Sequence, residues 1–119
     1  MKKVKERLEN RARILKEHIK LDNEWINDNF IGQFMVGRIS MEEQWLKETE
    51  SLLELEDFTP DSLIPVLEER RAILKTHIVE EKGKFSSTQG QEMRGRCVIN
   101  QRWLEDTEIM LNVFHGTRG

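Results

Sequence analysis

Apolar residues recur along this chain at the three- and four-residue spacing of an α-helix. Val4, Leu8, Ala12, Leu15, Ile19 and Ile26 form one stripe, widened by Ile14, Leu21 and Trp25. The spacing predicts a first helix from about Lys3 to Asn27, broken at Asp28-Asn29. A second stripe follows at Ile31, Met35, Ile39, Trp45, Leu46, Thr49, Leu52 and Leu53. Its start is open to two readings. Ser40-Met-Glu-Glu43 fits a capping box, which would leave Phe30 to Ile39 as a loop or arm. A start near Phe30 is favoured by the internal comparison below.

The third helix is predicted from about Leu63 to Lys82. Ser62 serves as its cap, because Thr59 as cap would leave Pro65 where a backbone bond is forgone. Lys82 to Ser87 reads as a loop. The fourth helix is predicted from Thr88 to about Phe114, with His115 to Gly119 as a frayed tail.

The chain says nearly the same thing twice. Leu8 to Ile19 reads LENRARILKEHI and Leu67 to Ile78 reads LEERRAILKTHI, with eight of twelve positions identical. Gly32 to Leu53 matches Gly90 to Leu111 at ten of twenty-two positions. Chance leaves roughly one identity in each block. A second helix starting near Phe30 then matches the fourth starting near Thr88. The predicted fold is all-α: a four-helix antiparallel bundle built from two tandemly repeated helical hairpins, about 3–56 and 62–114, in a single domain spanning 1–119.

Antiparallel hairpins predict which residues face each other. Leu15 should face Trp45, and Leu8 should face Leu53. Arg11 should face Glu50, and Asp22 should face Arg38. In the second copy Leu74 should face Trp103, Arg70 should face Glu108, and Glu81 should face Arg96. The pairs keep complementary signs in both copies, and at Asp22 and Glu81 the residue differs while the charge stays. Gly37 matches Gly95, and Gly32 matches Gly90. Glycine inside a helix costs roughly 1 kcal/mol relative to alanine, so these positions suggest close helix approach, an irregular turn or simple inheritance.

Charge changes the picture little. Charged residues make up 34% of the chain, yet the net charge is only −3, which argues against a dominant nucleic-acid or anionic-membrane surface. The basic run in the first helix is interleaved with Glu6 and Glu9, as on a solvated face. Cys97 is the only cysteine, so no disulfide within the chain is expected. There is no signal-peptide pattern at the N-terminus and no run of about 18 apolar residues. These features make a cytoplasmic location the expectation, with no membrane partner.

Candidate chemistry is sparse. His18 and His77 each precede an acid by four residues, and Glu42 should lie across from His18. His18, Asp22 and Glu42 are therefore the weak candidates for a metal. The Glu-x-x-His pairs of di-iron bundles do not occur, and Asn100 replaces Glu42 in the second copy, so the histidines read as core-edge residues. No phosphate loop, zinc-finger spacing or nucleophile elbow occurs. No cofactor and no enzymatic activity are expected.

The two copies differ most at one end. Phe30 to Ile39 is the most apolar stretch of the chain, whereas Thr88 to Cys97 is polar. Trp25 has Lys84 as its counterpart. Trp25, Phe30, Ile31, Phe34 and Val36 are therefore expected to form a partner or self-association patch. The expected function is a non-catalytic interaction or regulatory protein. A nucleic-acid-binding regulator using the basic first helix is the alternative, and a small-ligand site around His18 a further one.

Overall fold

The computed structural model describes residues 1–26 and 32–118, with side chains as far as His115. The chain is all-α: α1 spans Lys2–Trp25, α2 Gly32–Leu53, α3 Pro60–Lys82 and α4 Gly90–Arg118. The molecule measures 48 × 28 × 20 Å. At about 1.5 Å per residue, helix α4 with its 29 residues runs nearly the whole of the long axis.

Three helix ends differ from the expectations. Helix α3 begins at Pro60, and Thr59 is its cap, accepting a hydrogen bond from the Ser62 amide at 3.3 Å. Proline at the first position has no N–H to orphan and is already bent for a helix. Pro65 then lies inside the helix, on its exposed side. Thr88 does not open α4. Ser87 Oγ instead accepts from the Gln89 amide, and the helix starts at Gly90. Helix α4 also continues to Arg118, where a frayed tail was expected. Phe114 is buried and anchors the turns just before that end. Ser40 falls within α2, so the helix begins upstream of its capping box.

The principal interfaces are α2 with α4, α3 with α4, and α1 with α2. Helices α2 and α4 are thus the central pair, with α1 and α3 on their flanks. Within α1–α2, Asp22 meets Arg38 and His18 approaches Glu42, as in antiparallel neighbours. Between α2 and α4 the direction is parallel: Gly37 abuts the Arg96 backbone, Gly95 abuts that of Arg38, and Trp45 meets Trp103 further along.

Glycine sets the closeness of that central pair. A Cβ at Gly37 would overlap the Glu92 carbonyl, and one at Gly95 would overlap the Phe34 carbonyl. Both obstacles are backbone, which cannot swing aside as a side chain can. Among the described residues Gly32 lacks this constraint, since the nearest atom to an added Cβ is the Ile26 carbonyl oxygen at 3.6 Å.

The apolar core has two parts. One gathers residues from all four helices, including Val4, Leu8, Leu52, Leu63, Leu67, Leu111 and Phe114. The other holds Leu15, Met41, Trp45, Leu74, Ile99 and Trp103. Each such side chain fully buried contributes about 1.5–3 kcal/mol. Beyond the second cluster, next to the glycine crossing, the interior becomes polar.

Candidate functional site

Two features near the end of the bundle where α1 stops and α2 starts were candidates for function. One is a set of apolar side chains facing outward. The other is a buried layer of ionisable groups.

Trp25 is the last residue of α1 and is 54% exposed. Leu21, one turn earlier, is 52% exposed. These are large apolar groups, and four residues apart they lie on the same side of the helix. Phe34 and Val36 are half-buried in α2. Phe34 lies with Phe85, Val98, Lys82 and Arg94 along a cavity of about 280 Å³, which includes neither Trp25 nor Val36. Of the residues expected to make one patch, Trp25, Phe34 and Val36 are described, and they do not line one cavity. Phe30 and Ile31 lie outside the described residues.

The polar layer has two matching halves. In the second, Glu81 is buried and receives Asn100 Nδ2 at 3.1 and 2.9 Å, and Arg96 Nε at 3.4 Å. One carboxylate thus meets one guanidinium and one amide. In the first, Arg38 Nε donates to Asp22 at 3.2 Å. The residue at the amide's position is Glu42, with no exposed surface. Among the described residues, neither of its oxygens meets a hydrogen-bond donor. Burial, then the adjacent Asp22 carboxylate, pushes Glu42 up to about 8, while Arg38 and Arg102 pull the other way.

His18 Nδ1 lies 3.9 Å from Glu42 Oε2, too far for a hydrogen bond. Asp22 is taken up by Arg38. Among the described residues no group of three or more His, Cys, Asp or Glu side chains is placed to hold a metal ion. His18, Asp22 and Glu42 therefore do not assemble as ligands.

Two expected ion pairs are replaced by others. Arg11 does not pair with Glu50. Its guanidinium lies 4.8 Å from the Trp45 ring centre and reaches Asp106 at 3.4 Å. Arg70 does not pair with Glu108. It lies 4.5 Å over Trp103 and pairs with Glu48. Glu50 and Glu108 instead take Lys16 and Lys75, at 3.7 and 3.9 Å. The cause is the tight α2–α4 crossing, which brings Asp106 within reach of α1 and Glu48 within reach of α3. Glu48 and Asp106 occupy matching positions and keep their charge while differing in residue. That is the signal that picked out Asp22 and Glu81, and it could have found them.

These pairs also take up part of the basic face of α1. Arg7 and Arg11 meet Asp106, Arg13 meets Glu17 and Lys16 meets Glu50. Cys97 is buried, and burial, with the Glu81 charge adding, pushes its thiol up. A thiol held in its neutral form is a poor nucleophile. Among the described residues no helix is long and apolar enough to cross a membrane.

Comparison of the chain with protein-family models, with curated proteins and with solved structures finds no match.

Proposed function

We propose that this chain is a non-catalytic helical interaction or regulatory protein, acting through the end of the bundle marked by Leu21 and Trp25. The observation that carries the reading is the exposure of those two large apolar side chains, 52% and 54%, on a chain that is one-third charged. Tryptophan is enriched among residues that dominate binding energy at interfaces. The partner is a protein or a second copy of this chain.

The test compares wild type with Trp25→Asp. Light scattering reads self-association, and affinity capture from the native host reads a separate partner. A single specific partner, or a dimer, lost in a folded Trp25→Asp protein supports the reading. An unchanged partner set and an unchanged mass sink it.

We also propose that the bundle arose as two tandem hairpins, about 3–56 and 62–114. In support, matching positions make matching contacts. Arg38 to Asp22 corresponds to Arg96 to Glu81, Lys16 to Glu50 corresponds to Lys75 to Glu108, and Arg11 on Trp45 corresponds to Arg70 on Trp103.

A further inference from the structure

The two halves of the buried layer differ at one functional group. Asn100 gives Glu81 two hydrogen bonds from its amide. Glu42 stands at the matching position beside Asp22, and an ionised carboxylate can only accept. As ionised groups, Asp22 and Glu42 set two negative charges beside one hydrogen-bonded guanidinium, that of Arg38, with Arg102 acting through its charge alone. The second layer sets one charge against one. A proton on Glu42 removes the excess charge and supplies the missing donor together.

We propose that the α1–α2 pair is closed by a proton: Glu42 holds it and donates it to Asp22, in the position where Asn100 donates to Glu81, so that rising pH loosens the α1–α2 end and leaves α3–α4 closed. The surroundings of Glu42 fit this from each side. Helix α1 presents Asp22 and His18, the latter at 3.9 Å. Helix α2 itself presents Arg38, and α4 presents Arg102. Helix α3 reaches α2 further along, through Arg70 on Glu48. None of these supplies Glu42 with a hydrogen-bond donor. The ordinary carboxyl value is 4.5, and Glu42 stands near 8 in the folded chain. A folded-state value raised in this way gives stability that is full below 4.5 and lost as pH rises to about 8. Above that the contribution is gone and the profile is flat.

The test is equilibrium unfolding of the full chain from pH 5 to pH 9 for wild type, Glu42→Gln and His18→Gln. Glutamine keeps a donor for Asp22 at every pH. Relative to Glu42→Gln, the wild-type unfolding constant is expected to rise by up to about tenfold per pH unit until about pH 8, the limit for one linked proton. His18→Gln should retain that rise. Parallel profiles for wild type and Glu42→Gln overturn the proposal, and so does loss of the rise in His18→Gln. Should Glu42→Gln fail to fold, carbon-13 titration of the wild-type carboxyls decides. One glutamate carboxyl titrating near 8 supports the lock, and all of them titrating in the ordinary carboxylate range overturns it.

Discussion

Trp45 stacks on Trp103 across the α2–α4 seam, with ring centres 5.9 Å apart and planes inclined by 12°. Each outer face of this pair is covered by an arginine, Arg11 over Trp45 and Arg70 over Trp103. The four side chains come one from each helix, α1, α2, α4 and α3 in turn. A cation over an indole contributes about 0.5–2 kcal/mol. The stack therefore ties all four helices together at one level, and its spacing depends on the approach that Gly37 and Gly95 allow.

Gly37→Ala should strain that approach. The added methyl meets the Glu92 carbonyl and the Arg96 amide, and overpacking of this kind costs about 1–3 kcal/mol. The backbone obstacle places it at the upper end, against a gain of up to about 1 kcal/mol in helix propensity. Thermal unfolding should show a fall in Tm of several degrees, and less fluorescence overlap between the two indoles. Gly32→Ala, whose methyl would meet no described atom closer than 3.6 Å, should leave Tm unchanged or raise it.

Arg38→Ala leaves the Asp22 carboxylate without its guanidinium in a site where Asp22 is 8% exposed. Removing one partner of a buried pair costs roughly 3–5 kcal/mol, and the partial exposure of Arg38 places this loss near the lower figure. Chemical denaturation at neutral pH measures it. A denaturation midpoint equal to that of wild type would show that the pair carries no stability.

Asp106 is buried and accepts from Arg7 at 2.6 and 3.0 Å as well as pairing with Arg11. Asp106→Asn should cost about 2 kcal/mol, the scale of a charge-assisted hydrogen bond. A double-mutant cycle with Arg11→Met should give a coupling of at least about 0.5 kcal/mol. The same cycle between Arg11 and Glu50, the pair that hairpin geometry alone suggests, should give none.

The periodic stripes specify four helices because a helix must bury one face, and the spacing of Leu8, Leu15, Leu67 and Leu74 shows which. Comparison between matching segments placed Arg38 opposite Asp22 and Arg96 opposite Glu81, since neighbours in a hairpin follow from position along the chain. Trp45 and Trp103 were legible as core residues. Their stacking on each other was not, because it joins helices that are not consecutive. The end of α4 was not legible, because the helical spacing of apolar residues stops at Phe114 and a chain end without it is expected to fray. Glu42 was legible only as a carboxylate near a histidine. What makes it distinctive is total burial beside Asp22.

The chain alone determined the helices, the faces they bury and the partners within each hairpin. All of these depend on local periodicity and on short, nearly constant separations. Only the tertiary structure decided that α2 and α4 form the seam, and that Arg11 and Arg70 reach Asp106 and Glu48 instead of Glu50 and Glu108. It also decided that Glu42 lies where no donor among the described residues reaches it. Those outcomes depend on how closely two helices approach and how fully a side chain leaves water, which are set by the packing of distant residues against one another.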